Sequence, residues 1–473
     1  MKYTIPQQLL FFRFKEFKKY NKVLLTNIVW DHLILEKEEF NKVVKWDFSD
    51  NLQDKLEKAG FWKNDETIKN TISAYRNKHK YLSWWPTLHI LVVTQWCNLN
   101  CIYCHSKTTW KDIHKYVLTK EIADKYLDII FSSPADFLTI EFQWWEPTVA
   151  WDMIKYIVKN AQKLAKEKNK KIKFTTTTNL YEITEEQINF MFENDFSINT
   201  SVDWVSNIHN ETRPAFPNGK SFEKIEKNIK LIQNFEKKYN KKLLSWWIAV
   251  ITKYNLKNPE LLAQQYKNLD LNFVLVKYLD WLGRSEVTKE FIWYTAEEFI
   301  NFYKKHLEEV KKINLEGYKL IDGFVHIFIK KILAKENPNY VDLQNPCGAS
   351  IGQVAYNWNW EIYTCDEWRT LDTDIFKVWD YKNTNNIKEI IQNETTASVC
   401  NCSCLESNVC DMCVYQPYCW ICPVHNYINH GEIFVDIRKT FRHKFNSFIQ
   451  DFVFEKIITE DKQWLKIFEN WLK

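Results

Sequence analysis

The sequence predicts an α/β fold: a partial (β/α)6 TIM-like barrel, a small N-terminal α+β element and a C-terminal cysteine-rich domain. Apolar, β-rich runs alternate with helical runs through the middle of the chain, and nine of the 12 cysteines fall between 347 and 422. Short links between parallel strands require crossover helices, which favours a barrel over a sandwich. We expect the boundaries 1–84, 85–335, 336–445 and 446–473, the last segment being a C-terminal helix.

The hydrophobic periodicity places each element in turn. In the first segment, strand-like runs at 23–25 and 32–35 precede helical runs at 37–45 and 51–59, which predicts a β-hairpin and a helical pair. Barrel strands are predicted at about 88–94, 137–142, 172–178, 196–202, 245–252 and 272–278. The helices between them are predicted at about 119–131, 152–167, 184–193, 221–238 and 258–268, followed by helical stretches at 295–314 and 321–335.

Composition excludes several functional classes. The 473 residues carry a net charge of +4, with 45% hydrophobic and 26% charged residues, as in a globular protein. No apolar run approaches the roughly 20 residues of a membrane span, and the short apolar patch near the N-terminus does not resemble a signal peptide. The charges are interspersed, so we expect a cytoplasmic protein that binds neither nucleic acid nor membrane.

The tryptophan content is abnormal. The chain has 22 Trp and only 8 Gly, whereas average usage would give about 33 Gly. Trp occurs in pairs at 84–85, 144–145 and 246–247, and the turn-like segment 357–360 reads N-W-N-W where N-G-N-G would be ordinary. We hypothesise that many of these Trp are UGA codons that the source organism reads as glycine. The alternative is a naturally Trp-rich protein, and Trp464 and Trp471 fit a genuine amphipathic helix.

Three cysteines follow the first predicted barrel strand closely. Cys97, Cys101 and Cys104 form a C-x3-C-x2-C motif, which is too tight for a disulfide framework and suits a [4Fe-4S] cluster with one iron open to a cofactor. In a barrel of this kind the chemistry lies at the C-terminal ends of the strands. A structural zinc knuckle with His105 as the fourth ligand is the alternative.

This motif resembles the signature of the radical S-adenosylmethionine (SAM) enzymes. The resemblance implies that the three cysteines bind the cluster, whose open iron takes SAM, and that Tyr103 is the aromatic residue before the third Cys. It also implies contacts to SAM from residues at the ends of later strands, which here are Trp144, Trp145, Glu146, Thr178, Asn179, Ser201 and Asp203. Trp144 and Trp145 stand where the family has two glycines. Ser, Thr and Asp at strand ends also serve as helix caps, which is the structural alternative.

The C-terminal cysteines resemble a SPASM domain, the twin-cluster extension of peptide-modifying radical enzymes. The resemblance implies one auxiliary [4Fe-4S] cluster on Cys347, Cys365 and Cys422, and a second on Cys410, Cys413 and Cys419. The spacing departs from the family pattern, because only two residues precede Cys422 and no Cys follows it. His443, Cys400, Cys402 and Cys404 are candidates for the missing ligands. One incomplete cluster and a zinc-bound domain are the alternatives.

Asp366 follows a cluster cysteine directly. Anaerobic sulfatase-maturating enzymes have an Asp in this place as the base that deprotonates the substrate, so the resemblance implies a catalytic Asp366, although it could simply hydrogen-bond the loop. Segments across nearly the whole chain are most similar to the radical SAM/SPASM maturase of the His-Xaa-Ser peptide system, among them 86–89, 140–147, 352–357 and 415–423. The N-terminal element is similar in pattern to leader-peptide-binding elements, which add a strand to a sheet edge.

The resemblance implies an enzyme that takes an electron from reduced flavodoxin or ferredoxin, cleaves SAM and abstracts hydrogen from a ribosomally made precursor peptide. Two alternatives remain open. One is conversion of a sulfatase Ser or Cys to formylglycine, which Asp366 allows. The other is a non-catalytic iron-sulfur module that only binds peptide, which the printed Trp144 and Trp145 would favour.

Overall fold

The computed structural model describes residues 7–473 except 107–114, 339, 341–342, 369–370, 372, 381–383 and 408. Within these residues, none of the helices combines the length and the apolar character needed to cross a bilayer.

Residues 7–83 form a compact unit, called here the N-terminal module. Its strands β1 (Arg13–Phe17), β2 (Lys22–Thr26) and β3 (His32–Glu36) pair antiparallel in the order β1-β2-β3. Three helices follow: α1 (Lys37–Lys45), α2 (Asp50–Lys58) and α3 (Asp65–His79). The module therefore has one strand and one helix more than the hairpin and helical pair expected from the sequence. β1 alternates weakly between charged and aromatic residues, and α3 buries only Thr67 and Lys78, so neither carries a strong apolar pattern.

Parallel strands form the centre of the molecule. They are β4 (Leu88–Leu91), β5 (Phe137–Phe142), β6 (Lys171–Thr177), β7 (Ser197–Ser201), β8 (Leu244–Val250), β9 (Phe273–Lys277) and β10 (Ile321–Asp322). Each pairs with the next along the chain, as the βα crossover rule requires. The six predicted barrel strands are confirmed, and β10 adds a short seventh at the far edge.

Helices cover this sheet. They are α4 (Lys120–Phe131), α5 (Trp151–Glu167), α6 (Glu185–Glu193), α7 (Ser206–Thr212), α8 (Phe222–Tyr239), α9 (Glu260–Asn268), α10 (Arg284–Val287), α11 (Lys289–Ile292), α12 (Ala296–Leu315) and α13 (Gly323–Ile329). The stretch predicted as one helix from 321 begins instead as β10. The Asp322 side chain then accepts a hydrogen bond of 3.0 Å from Val325 N and caps α13.

The C-terminal region is joined to the barrel through its sheet. Strand β11 (Gln353–Tyr356) pairs parallel with β4, and β12 (Glu361–Tyr363) and β13 (Lys377–Asp380) continue antiparallel from it. The remaining helices are α14 (Ile387–Ile391), α15 (Glu394–Cys402), α16 (Pro423–His430), α17 (Phe441–Ile458) and α18 (Lys462–Leu472). The predicted hairpin before Cys365 is thus present, and it fixes the cysteine-rich region against the first barrel strand.

Five tryptophans adopt a left-handed backbone. Their φ angles lie between 52° and 78°, at Trp30, Trp46, Trp144, Trp145 and Trp360. This region costs an L-residue about 1–2 kcal/mol and favours glycine. In addition, the buried indole of Trp368 has its ring centroid only 2.7 Å from that of Phe376, far closer than the 4.5–7 Å of packed aromatic pairs. The backbone at the five left-handed positions therefore suits glycine, and the crowded ring of Trp368 indicates a smaller residue at 368; neither observation depends on the composition.

Candidate functional site

The three cysteines of the C-x3-C-x2-C motif, called here the barrel triad, lie in the loop that follows β4. Asn100 N donates to Pro214 O over 2.7 Å and Ile102 N donates to Thr212 O over 3.0 Å, which fixes this loop on the segment after α7. All three cysteines line one cavity of about 300 Å³, called here the first cavity.

The segment after β9 holds the triad loop from the other side. Gly283 has φ of 59°, and a Cβ there would lie 2.3 Å from the His105 carbonyl oxygen, so only glycine permits this contact. Arg284 N donates to Cys104 O over 2.8 Å. Sequence reasoning missed this segment, although Gly283 is one of only eight glycines in the chain.

Polar residues at the ends of β6 and β7 reach the first cavity as expected. Thr178, Asn179 and Ser201 all line it, beside Tyr103 of the triad loop. Asn179 Nδ2 donates to Asn98 Oδ1 over 2.8 Å and lies 3.7 Å from Cys97 Sγ. The ends of successive parallel strands therefore converge on the cysteine loop, as the barrel geometry requires.

Glu146 occupies a deeper position than the other predicted residues. It is buried and is not among the residues that line the first cavity. Its carboxylate accepts hydrogen bonds from Thr148 Oγ1 (2.6 Å), Thr178 Oγ1 (2.7 Å) and Asn179 N (2.7 Å). Burial raises the pKa of Glu146, and these hydrogen bonds oppose that rise. Glu146 thus ties the ends of β5 and β6 together beneath the cavity wall.

A buried network joins Tyr103, Asp203 and Arg213. Asp203 accepts hydrogen bonds from the Tyr103 hydroxyl and, over 3.0 Å, from Thr212 Oγ1, while Arg213 Nη1 donates to the Tyr103 hydroxyl over 2.8 Å. Asp203 is fully buried behind the cavity, whereas Arg213 lines it. Sequence reasoning did not find Arg213, because it belongs to no motif and reaches the site only through the fold.

Arg213 lines the first cavity, and its charge acts on Cys101 of the barrel triad. Burial raises the pKa of Cys101 to about 12, and the nearby Arg213 charge opposes that rise. Burial also raises the pKa of Asp203, again opposed by Arg213. Thiols with raised pKa values are protonated near neutral pH, so cluster assembly must displace protons, and Arg213 lowers that cost.

Two indole side chains occupy part of the first cavity. Trp144 and Trp145 both line the first cavity, with φ of 78° and 52°. Trp144 Nε1 donates to Asp366 Oδ2 over 3.1 Å. The thiols, the strand-end hydroxyls and Arg213 suit a cluster with a polar cofactor; the two indoles take up space which glycines would leave free.

A second cavity of about 360 Å³ lies next to the first. Cys347, Cys365 and Cys422, called here the inner triad, line it, as the resemblance predicts for the first auxiliary set. The two cavities share a wall made of Gln143, Thr177, Ile248, Lys277, Asp366 and Glu367. Asp366 therefore stands between two cysteine triads, with its carboxylate bound by the Gln143 amide.

Further charged side chains surround Asp366. Glu141 lines the second cavity, and burial together with the Asp366 charge raises the pKa of Glu141 to about 7, opposed by a hydrogen bond from Thr177 Oγ1. Lys277 Nζ lies 3.3 Å from Asp280 Oδ2 and 3.7 Å from Glu367 Oε1. The wall between the cavities thus contains both proton acceptors and a cation.

Cys410, Cys413 and Cys419, called here the outer triad, form a separate group. Successive turns bring them together: Cys413 N donates to Cys410 O over 2.9 Å, and Cys419 N donates to Gln416 O over 3.2 Å. They pack with Leu405, Ile421 and Ile437 in a small apolar cluster, and Asn446 Nδ2 lies 3.8 Å from Cys419 Sγ.

The candidates for the missing ligands lie near both C-terminal triads. The charges of Cys347, Cys400 and Cys404 all act on Tyr81, whose pKa is raised chiefly by burial, so Cys400 and Cys404 belong to the surroundings of the inner triad. The Cys402 thiol points to Val399 O, at 3.3 Å. His443 lies near Arg438, which also acts on Cys410.

The donor sets fit iron-sulfur clusters. Each triad offers three cysteine thiols, the number that a [4Fe-4S] cluster with one open iron requires. In the described ranges, no three His, Cys, Asp or Glu side chains are grouped as ligands of one metal ion.

Comparison with known proteins agrees with this site. Residues 91–241 match the model of the radical SAM superfamily. The cysteine-type anaerobic sulfatase-maturating enzyme of Clostridium perfringens (strain ATCC 13124) is 22% identical over 320 residues, which are 65% of this chain and 83% of that protein. The serine-type enzyme of Bacteroides thetaiotaomicron is 22% identical over 292 residues, or 57% of this chain and 66% of that protein.

Solved structures share the fold. The anSMEcpe structure with bound AdoMet superposes with a TM-score of 0.65 at 18% identity, covering 79% of this chain and 98% of that one. The Streptococcus suis SuiB structure bound to the precursor peptide SuiA gives a TM-score of 0.53 at 15% identity, covering 91% and 97%.

Residues 91–241 thus form a radical SAM domain, and the chain is an enzyme that uses a [4Fe-4S] cluster and SAM. This finding contradicts two alternatives, the zinc knuckle on the barrel triad and the non-catalytic module. The cysteine-rich C-terminal region favours auxiliary clusters there.

Proposed function

We propose that this chain, an enzyme with a radical SAM domain, abstracts hydrogen from a side chain of a ribosomally made precursor peptide and so matures it. The observation that carries the proposal is the position of Asp366 in the wall between two cavities, each lined by a cysteine triad. Two solved structures of the same fold contain peptides, anSMEcpe with the Kp18Cys peptide and SuiB with its precursor peptide.

The barrel triad holds the cluster, and Tyr103, Thr178, Asn179, Ser201 and Arg213 surround SAM. A bound cluster, reduced by one electron from flavodoxin or ferredoxin, would together with SAM supply a 5'-deoxyadenosyl radical. The protein contributes the enclosure and the positioning. Glu146 and Asp203 act from behind the cavity, because both are buried and bonded to the residues that line it.

The second cavity receives the target side chain. Its walls are largely aliphatic and aromatic, which excludes water from the reacting carbon. Asp366, aligned by Gln143, takes a proton from the substrate. Cys347, Cys365 and Cys422 would hold an auxiliary cluster, which would supply an acceptor for the remaining electron. The outer triad holds a second auxiliary cluster.

The N-terminal module binds the leader segment of the peptide. Its three-stranded sheet has β1 and β3 at its two edges, and an extended peptide adds to such an edge. Four domains then divide the work. Residues 1–84 bind the leader, 85–335 carry out the radical chemistry, 336–445 hold the auxiliary clusters, and 446–473 form the C-terminal helical segment. The resemblance to the His-Xaa-Ser system names the peptide class, and we place the reaction in the cytoplasm.

The natural chain has glycine at 144 and 145. The left-handed backbone at both positions and the indoles in the first cavity support this recoding. The left-handed backbone supports glycine at 30, 46 and 360 as well, whereas Trp464 and Trp471 are tightly packed in α18 at 0% and 2% exposure.

A second candidate is maturation of a sulfatase Ser or Cys to formylglycine. The observation that favours it is the similarity to sulfatase-maturating enzymes, together with Asp366.

The test uses the glycine form of the chain with reconstituted clusters under anaerobic conditions. It is incubated with SAM, a reductant and either a precursor peptide containing His-x-Ser repeats or a sulfatase-derived Cys or Ser peptide. We expect a mass change only in the repeat peptide. A change only in the sulfatase peptide would favour the second candidate, and no change in either would contradict both.

A further inference from the structure

The N-terminal module is bound to the loop that carries the outer triad. Arg13 of β1 donates to the Asp411 carbonyl and lies 3.5 Å from the Asp411 carboxylate. Thr26 Oγ1 of β2 donates to Val414 O over 2.7 Å, and Lys78 Nζ of α3 donates to Pro417 O over 3.0 Å. Three elements of the module therefore bind three carbonyls between Cys410 and Cys419.

The barrel adds a further donor to this loop. Lys331 follows α13, and its Nζ donates to Tyr418 O over 3.1 Å and to Leu343 O over 2.9 Å. The Tyr418 hydroxyl in turn donates to the backbone carbonyl of residue 30 over 3.1 Å, a contact that survives whichever residue stands at that position. The loop is thus enclosed by the module on one side and the barrel on the other.

Two of these donors place charge next to the thiols. Arg13 is 2% exposed and bound to the Asp411 carbonyl, two residues before Cys413, and Lys331 is 3% exposed and bound to the Tyr418 carbonyl, next to Cys419. Lys78 Nζ donates to two backbone carbonyls, Ile28 O and Pro417 O, and serves here as a hydrogen-bond donor to the loop. Cations buried beside thiolates interact strongly because water does not screen them.

We propose that the N-terminal module is part of the second auxiliary-cluster site, where Arg13, together with Lys331, raises the reduction potential of the cluster held by the outer triad. The inference rests on the proposed function, which places a cluster on Cys410, Cys413 and Cys419. Reduction adds one negative charge to a cluster, and net charge and hydrogen bonding around it set its potential. A nearby buried cation therefore stabilises the reduced form.

This arrangement gives the module a second role besides peptide binding. A leader peptide that adds to β1 would pair with the strand that carries Arg13. Arg13 and Lys331 are positioning residues in this account, since neither touches the substrate.

The experiment measures the cluster directly. Cys97, Cys101 and Cys104 are changed to Ala in the full chain, which is then reconstituted with iron and sulfide so that only auxiliary clusters remain. Redox titration monitored by electron paramagnetic resonance gives the midpoint potentials, and Cys410→Ala identifies the signal of the outer cluster. Arg13→Gln and Lys331→Gln remove one charge each, and Arg13→Lys retains it.

Two controls separate charge from folding. Thr26→Val removes a hydrogen bond to the same loop without changing charge, and Lys58→Gln removes the charge of an exposed lysine of the same module. We expect Arg13→Gln and Lys331→Gln each to lower the ratio of reduced to oxidised outer cluster by roughly tenfold at a fixed potential. Arg13→Lys, Thr26→Val and Lys58→Gln should leave that ratio within about twofold.

Failure of this inference can be distinguished from failure of the proposed function. An outer cluster with full iron and an unchanged potential in Arg13→Gln and Lys331→Gln would overturn this inference alone. An equal shift in Thr26→Val would also overturn it, because loop position rather than charge would then set the potential. A parent chain with iron on the inner triad alone would overturn it together with the assignment of the outer triad, while the radical chemistry of the barrel would stand.

Discussion

The amide of Gln143 donates to the carboxylate of Asp366, so a residue that follows the second barrel strand aligns a residue of the cysteine-rich region. The contact spans 223 positions in sequence and lies in the wall between the two cavities. It joins the proposed site of radical formation to the proposed proton acceptor.

Asp366→Asn should uncouple SAM cleavage from peptide modification. The amide keeps the shape of the side chain and removes the proton acceptor, so we expect peptide product to fall by about 10²-fold or more. Release of 5'-deoxyadenosine should continue, because the barrel triad is untouched. Both products are quantified in one anaerobic assay, with the exposed Asp374→Asn as control. Equal loss of both products would argue that Asp366 supports the fold of the site.

Arg213→Met should destabilise the chain by about 3 kcal/mol, because it leaves the Asp203 carboxylate buried without its cation. Asp203→Asn in the same chain removes that charge and should restore part of the loss. Denaturant unfolding of the cluster-free chain measures both values. If the double variant is as unstable as Arg213→Met plus Asp203→Asn added together, the two side chains are not coupled.

His89 should make stability depend on pH at the junction of barrel and C-terminal region. It is fully buried on β4, 3.1 Å from the Tyr356 hydroxyl of β11, and burial lowers its pKa to about 3. Below pH 6.5 His89 binds a proton in the unfolded chain but stays neutral in the folded chain. The free energy of unfolding therefore falls as the pH decreases. We expect a loss of about 2 kcal/mol between pH 7 and pH 5.

The matched variant for that measurement is His89→Gln, compared with the unchanged chain at both pH values. The difference in the free energy of unfolding isolates the contribution of His89 from those of other groups. An identical pH dependence in both chains would contradict the buried, neutral state of this imidazole.

Substitution by glycine should change the stability of the chain in opposite directions at two tryptophans. Trp46 ends α1 with φ of 65° and is 47% exposed, so Trp46→Gly relieves a left-handed backbone and should stabilise the chain by about 1 kcal/mol. Trp471 is 2% exposed in α18, so Trp471→Gly should cost about 3–5 kcal/mol. Thermal unfolding of both variants checks the pair. Destabilisation by Trp46→Gly would count against recoding at that position.

Hydrophobic periodicity and cysteine spacing predicted the barrel strands and the cysteine loop, because both depend on local sequence. Apolar strands such as Phe137–Phe142 and the cysteine spacing after β4 placed the barrel and its loop. The catalytic role of Asp366 came from a family resemblance and stays a prediction. Arg213 and Gly283 were missed because tertiary contacts alone bring them to the triad loop. The parallel pairing of β11 with β4 joins residues more than 260 positions apart, and no local pattern encodes such a pairing.

The central claim is that a radical SAM site operates at the barrel triad once glycine stands at 144 and 145. The most direct measurement is anaerobic release of 5'-deoxyadenosine by the Trp144→Gly, Trp145→Gly chain with reconstituted clusters, beside the chain as printed. We predict release from the glycine form alone. A glycine form with a full complement of iron and no release would contradict the account.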